Sequence, residues 1–188
     1  MKYLISFLFL ALAFSMKSEA KVTLPSILGD NMVLQQQAEV KLWGKARPNA
    51  TVTVKTSWNG QTYKFSSDGK GGWSLTVSTP VAGGPYKIIF NDGELLTLQN
   101  VLIGEVWFCS GQSNMEMPMG CFDRQPVRGA NDIIAKAKPS TPIRMYTTDS
   151  KDGRWVRQFS KTPAEDCQGE WLENTPVNVS HISAVSYY

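Results

Sequence analysis

The chain has 188 residues, 42% of them hydrophobic, and a formal net charge of +3 at pH 7. This near balance of charge argues against nucleic acid as a partner, because nucleic-acid-binding proteins usually carry a basic stripe of Lys and Arg. The length suits one ordinary domain, or a small domain followed by part of another. With one histidine and no Cys-x-x-Cys pair, the sequence predicts neither a metal site nor any other cofactor.

The first 20 residues have the layout of a secretory signal peptide. A short positive start at Lys2 precedes the apolar run 3–16, and Ser18 and Ala20 supply the small residues before a cleavage site. The run is short for a membrane span, so an uncleaved anchor is the less favoured alternative. We therefore expect a mature chain that begins at Lys21, is secreted or periplasmic, and has no membrane association after cleavage.

Residues 40–98 show short alternating runs separated by Gly, Asn and Pro, the pattern of an antiparallel β-sandwich. The Asn59-Gly60 pair predicts a two-residue hairpin, because both positions must tolerate positive φ. Trp43, Trp58 and Trp73 could form a sugar-stacking platform, but packing within or between the sheets is favoured. The predicted strands cover 40–43, 51–58, 61–65, 73–77, 86–90 and 95–98.

The pattern changes after Asn100, and we place a domain boundary at 99–101. The sequence therefore predicts a β-sandwich domain at 21–100 and an α/β domain at 101–188. Residues 101–103 and 106–108 are almost continuously apolar, which predicts a parallel strand buried on both faces. Residues 133–138 predict a helix, 143–146 a second parallel strand, and Ser180 the N-cap of a further helix.

The three cysteines of the chain are Cys109, Cys121 and Cys167. An odd number leaves at least one thiol unpaired, and the sequence does not fix the pairing, although Cys121 with Cys167 is one arrangement. Cys109 lies in the apolar run and is predicted to be a small core residue.

A strand, a sharp turn carrying Ser113 and a helix together resemble the way several hydrolase folds present a nucleophile. Backbone N–H groups at such a helix start can stabilise an oxyanion, and Gly111 gives the backbone room to approach a substrate. The turn differs from the Gly-x-Ser-x-Gly elbow of α/β-hydrolases, because Met115 occupies the fifth position. By themselves, the four residues Gly-Gln-Ser-Asn would more readily indicate an ordinary turn with a capping serine.

The longer block 104–118, GEVWFCSGQSNMEMP, closely resembles the nucleophile block of the sialate O-acetylesterases, members of the SGNH (GDSL-like) hydrolase superfamily. Further resemblance lies at 31–35 (NMVLQ), 72–86, 143–146 (IRMY), Trp171 and 183–188 (SAVSYY). The resemblance implies a β-sandwich followed by the start of a flavodoxin-like, three-layer α/β/α hydrolase domain. It also implies metal-free hydrolysis of O-acetyl esters of sialic acids.

By this resemblance, Ser113 is the nucleophile and its backbone N–H contributes to the oxyanion hole. Gln112 and Asn114 are candidates for positioning the turn or the acyl group, although a purely structural role in the turn is equally compatible. Glu116 is interpreted as a first-turn carboxylate that complements the helix dipole.

The sequence departs from the family pattern, because it lacks the late Asp-x-x-His block that supplies the general base and the later glycine and asparagine blocks that complete the oxyanion hole. His181 is the only histidine, and it falls in a segment that matches a structural helix of the family. We therefore interpret the chain as an inactive, C-terminally truncated portion of the enzyme. Residues after about 115 are then expected to expose apolar surface.

Two alternative functions remain open at this point. One is an acetylxylan esterase or another carbohydrate acetylesterase, which shares the Gly-Gln-Ser-Asn-Met block. The other is a non-catalytic carbohydrate-binding module, in which the sandwich and its tryptophans carry the function.

Overall fold

The computed structural model describes residues 21–148, 150–151, 154–155 and 166–188. The predicted signal peptide lies outside the described residues. None of the helices in these ranges is long and apolar enough to cross a membrane.

Seven strands account for most of the chain before residue 105, which confirms the mostly-β part of the predicted fold. Five of them form a mixed sheet in the order β1-β7-β6-β3-β4, and β2 pairs with β5 in a second sheet. The prediction of a purely antiparallel sandwich is wrong for one pair of strands, since β1 runs parallel to β7. The strands are β1 (Val33–Gln35), β2 (Glu39–Lys45), β3 (Thr51–Thr56), β4 (Thr62–Ser66), β5 (Gly72–Ser78), β6 (Gly83–Asn91) and β7 (Leu95–Gly104).

Both sheets contribute to one hydrophobic core, because alternate residues of each strand face inward. Trp73 is buried and packs against Phe65 and Phe90, with ring centroids 5.2 and 5.7 Å apart. Trp58 is half-buried and donates its indole N–H to the Ser78 carbonyl. The predicted packing role therefore holds for these two tryptophans, whereas Trp43 is 41% exposed.

The predicted hairpin joins β3 to β4, which pair antiparallel, but the prediction of a two-residue loop is wrong: residues 57–61 separate the strands, and Gly60 but not Asn59 has a positive φ. Gly60 has a φ of 67°, which glycine adopts without a steric cost. The Asn59 side chain accepts a hydrogen bond from the backbone N–H of Gln61 at 3.0 Å and so closes the turn.

The apolar run after Asn100 is arranged differently from the prediction. Val101 and Ile103 are buried, but they belong to β7 of the first sheet, which continues through the predicted boundary to Gly104. The run 106–108 is not a strand, and the exposed fractions of Trp107 and Phe108 are 83% and 91%. The predicted buried strand is wrong here because no described strand lies beside this segment to cover it. Cys109 is exposed for the same reason and is not a core residue.

The remainder of the chain contains short elements and a second, smaller core. β8 (Arg144–Tyr146) pairs with β11 (Trp171–Glu173) in an antiparallel ladder, so the predicted parallel strand is wrong in its orientation. β9 (Ser150–Lys151) and β10 (Arg154–Trp155) form a separate antiparallel pair. The described residues show no three-layer α/β/α domain.

The helices in this part are short. They are α1 (Ala130–Lys136), α2 (Pro176–His181), α3 (Ala184–Tyr187) and a 3₁₀ turn at Ser113–Glu116. The prediction of Ser180 as an N-cap is wrong, because the hydroxyls of Thr175 and Ser183 cap α2 and α3 and Ser180 lies within α2. The second core contains Met119, Ala130, Ala137, Met145, Val179, Ile182 and Ala184.

Apolar side chains in this part also reach the surface, as expected. Phe122 is 46% exposed, Val185 56% and Val177 68%. All three cysteines are free, and Cys121 and Cys167 form no disulfide.

The exposed segment after β7 predicts where a protease cuts first. Trp107 and Phe108 are more exposed than any other large apolar side chain among the described residues, and residues 107–111 make no hydrogen bond there. Proteases preferentially cut segments whose local unfolding requires little free energy. We therefore expect limited chymotrypsin digestion to cut after Trp107 or Phe108 and to release a resistant fragment of residues 21–108.

Mass spectrometry of the first products tests this expectation. Replacing both aromatic residues by serine is the control, because it removes the chymotrypsin sites and should delay the cut. A first cut within 21–104 would contradict the arrangement of β7.

Candidate functional site

Ser113 lies at the first position of the 3₁₀ turn that follows the exposed segment. We call residues 105–112 the nucleophile loop. Gln112 precedes the turn with φ −111° and ψ −144°, and its carbonyl accepts a hydrogen bond from the Met115 N–H at 2.9 Å. The predicted helix after Ser113 is therefore limited to a single turn of four residues.

A cleft of about 1240 Å³ opens beside Ser113. The lining includes the nucleophile loop and residues 82–84, where β6 begins. Segments 142–148 and 181–187 complete the lining. Of the predicted site residues, Gly111, Gln112 and Ser113 line the cleft, whereas Asn114 is exposed but lies outside the lining.

The Ser113 turn leaves its polar atoms accessible. Ser113 is exposed, and neither its hydroxyl nor its N–H makes a hydrogen bond within the described ranges. A Cβ at Gly111 would lie 2.6 Å from the Met115 Cγ atom, so a larger residue there would displace the Met115 side chain. The glycine thus permits the close fold of the turn, and the free N–H and hydroxyl can both face a substrate carbonyl.

His181 shares this cleft, which the sequence did not reveal. It is the last residue of α2 and is exposed. Three backbone hydrogen bonds of 2.8 Å join residues 117–120 to residues 180–184, and this pairing brings the end of α2 beside the Ser113 turn. No hydrogen bond connects His181 to Ser113 in the described structure. His181 lies in a helix as predicted, but it ends α2, whereas the sequence predicted a helix start beside Ser180.

Glu105 occupies the point where β7 passes into the nucleophile loop. Its carboxylate accepts hydrogen bonds from the side-chain amides of Gln36 and Gln35, and these bonds hold the pKa of Glu105 below its usual range. The carboxylate is therefore ionised at neutral pH. No role was predicted from the sequence for Gln35, Gln36 or Glu105, although Gln35 and Glu105 belong to the blocks at 31–35 and 104–118.

Arg144 is a second charged residue at the cleft. Its side chain is 4% exposed, and its guanidinium lies 3.1 Å from the Glu173 carboxylate. Among the described residues, no three His, Cys, Asp or Glu side chains form a group that could hold a metal ion.

The sequence of the chain is similar to that of several known enzymes. No protein-family model matches the chain. The sialate O-acetylesterases of Homo sapiens and Pongo abelii are each 34% identical to it over 105 residues, and the enzyme of Mus musculus is 34% identical over 102 residues. The human match covers 49% of this chain and 20% of the relative. The chain therefore spans only about a fifth of the length of these curated relatives.

A solved structure extends the comparison to most of the chain. A carbohydrate acetylesterase from Xanthomonas citri superposes with a TM-score of 0.76 at 30% sequence identity. The superposition covers 89% of this chain and 35% of that protein.

Proposed function

Because this chain is a distant relative of the sialate O-acetylesterases, we propose that it carries the nucleophile region of a carbohydrate O-acetylesterase, with Ser113 as the nucleophile. The observation that carries the proposal is the placement of Ser113. Its unbonded hydroxyl and N–H sit at the start of a turn that borders a large cleft. The proposed substrates are O-acetylated sialic acids, and other acetylated carbohydrates are the alternative.

The reaction proceeds in two steps. The Ser113 oxygen forms a bond to the acetyl carbonyl carbon, and the bond between that carbon and the sugar oxygen breaks. The sugar oxygen takes the proton that Ser113 has lost and leaves as a hydroxyl group. Water then attacks the acetyl-enzyme, releases acetate and returns the proton to Ser113. The Ser113 N–H stabilises the negative charge on the carbonyl oxygen in both steps. Each step also requires a base that removes a proton from the attacking oxygen.

The domain organisation belongs to the same proposal. Residues 21–104, which end with β7, form the β-domain, and the residues that follow begin an α/β hydrolase domain to which the nucleophile loop belongs. Two separate hydrophobic cores, one before and one after the nucleophile loop in the sequence, support this division. The leader-like residues 1–20 support export to the periplasm or the medium.

Covalent labelling tests the nucleophile directly. We expect an activated acetyl ester or an alkyl fluorophosphonate to modify Ser113 slowly, because the N–H and the hydroxyl are in place even without an assigned base. Peptide mass spectrometry locates the adduct, and Ser113→Ala should abolish it.

Ser110→Ala is the matched control, since Ser110 is also exposed and lines the same cleft. This variant should be labelled at the wild-type rate. Equal labelling of Ser110 and Ser113, or labelling that survives Ser113→Ala, would contradict the assignment.

A further inference from the structure

Three polar side chains at the edge of the cleft form a hydrogen-bond network away from the Ser113 turn. Gln35 ends β1, Gln36 follows it, and Glu105 follows the last residue of β7. The Gln35 Nε2 atom donates to Glu105 Oε2 at 3.0 Å, and the Gln36 Nε2 atom donates to Glu105 Oε1 at 2.6 Å. Each carboxylate oxygen therefore holds one amide, and hydrogen bonds to an ionised acceptor are stronger than neutral ones.

The other end of each amide binds a wall of the cleft. Gln35 Oε1 accepts a hydrogen bond from the Val106 N–H at 2.9 Å, in the nucleophile loop. Gln36 Oε1 accepts one from the Ala82 N–H at 2.8 Å, just before β6. Glu105 thus connects the start of the nucleophile loop to the start of β6 through the two glutamines.

The Val106 N–H is the last fixed backbone group before the Ser113 turn. From Trp107 to Gly111 the described chain makes no hydrogen bond, and the next one joins the Met115 N–H to the Gln112 carbonyl. The direction in which the loop leaves β7 therefore depends on the contacts of Glu105 and Val106.

We propose that Gln35, Gln36 and Glu105 are positioning residues, which set the course of the nucleophile loop relative to the start of β6. This inference rests on the proposed function of Ser113, and it assigns a role in that function to the first strand of the β-domain. It also gives one physical role to residues of two sequence blocks, 31–35 and 104–118.

An exchange of the two partners tests the proposal. Gln35→Glu places a second carboxylate beside Glu105, and the two like charges repel. Glu105→Gln leaves two amide donors facing each other, so one hydrogen bond is lost. The double variant Gln35→Glu/Glu105→Gln restores every bond: the amide at 105 donates to the carboxylate at 35, which still accepts from Val106. Gln37→Glu is the charge-matched control, because Gln37 is exposed and its side chain makes no hydrogen bond in the described structure.

Amide hydrogen exchange followed by NMR gives a readout that does not require activity. We expect Gln35→Glu to accelerate exchange of the Val106 amide by about tenfold, equivalent to the loss of about one hydrogen bond, because repulsion from Glu105 displaces the side chain that accepts from this N–H. The buried core amides of Val52 and Val54 should exchange as in the wild type. The double variant should return to the wild-type rate, and Gln37→Glu should not depart from it.

The rate of Ser113 labelling distinguishes positioning from mere structural support. We expect each single variant to slow labelling by about tenfold and the double variant to recover it. Faster amide exchange without slower labelling would overturn the proposal, as would unchanged exchange. If the wild type is not labelled at all, the proposed function fails. The backbone chemical shifts of Gly111–Ser113 then test the positioning role separately, and unchanged shifts in the single variants would overturn that role.

Discussion

The purified chain, residues 21–188, is expected to hydrolyse p-nitrophenyl acetate and O-acetylated sialic acid at least about 10⁴-fold more slowly than a complete Ser-His-Asp esterase. A serine hydroxyl is a weak nucleophile until an imidazole removes its proton, and loss of triad members costs about this factor or more. The only imidazole in the chain is that of His181, which makes no hydrogen bond to Ser113 in the described structure. Steady-state assays beside the Xanthomonas citri acetylesterase provide the comparison.

The variant His181→Ala separates the two roles open to this histidine. We expect the residual rate to be unchanged, because His181 is an exposed residue at the end of α2 and makes no hydrogen bond to Ser113 in the described structure. Ser113→Ala should remove whatever specific turnover remains. Rapid turnover that disappears in His181→Ala would show instead that His181 is the base, since both residues line one cleft.

The largest expected effect on stability follows removal of the carboxylate beside Arg144. The Glu173 Oε1 atom accepts a hydrogen bond from the Asn100 side-chain amide at 2.9 Å and forms an ion pair with the Arg144 guanidinium at 3.1 Å. In Glu173→Ala a guanidinium that is 4% exposed loses its counterion, and its Nε atom already lacks a hydrogen-bond partner in the described structure. We expect a loss of about 2 kcal/mol in the free energy of unfolding, less than for a fully buried pair because Glu173 is 36% exposed.

Thermal denaturation measures this loss as a decrease of about 4–8 °C in the melting temperature. Glu170→Ala is the matched control, because Glu170 is an exposed carboxylate nearby with no hydrogen bond or ion pair in the described structure, and it should change the midpoint little. Glu173→Gln should lie between the two, since an amide oxygen still accepts from both donors. Equal midpoints for Glu173→Ala and Glu170→Ala would show that the pair adds nothing to stability.

The same contact explains how the β8–β11 ladder is joined to the first sheet. Asn100 lies near the middle of β7 with a φ of 55°, and its amide also donates to the Asn31 side chain at 2.7 Å. Arg144 and Glu173 are directly opposite each other across the ladder. The Arg144–Glu173 ion pair therefore contacts the Asn100 side chain in β7. Asn100 lies at the predicted domain boundary, which β7 crosses without interruption.

Local sequence patterns determined much of the β part of this protein. Alternation with period two predicts strands because successive side chains of a strand face opposite sides, and the strands of 40–98 lie where this pattern occurs. The position of the turn between β3 and β4 was also predictable, since Gly60 accepts a positive φ without steric cost, but the length of its loop was not. The block at 104–118 indicated the relationship to the sialate O-acetylesterases, because so long a motif rarely arises by chance.

Only the tertiary structure determined which segments are neighbours in space. The apolar composition of 106–108 is the same whether a neighbouring strand covers it or not, so the exposure of Trp107 and Phe108 could not be deduced from it. The orientation of β8 depends on its partner β11, which lies 25 or more residues away in the sequence. The hydrogen bonds of Gln35 and Gln36 to Glu105 join residues 70 and 69 positions apart, and only the parallel pairing of β1 with β7 brings them together.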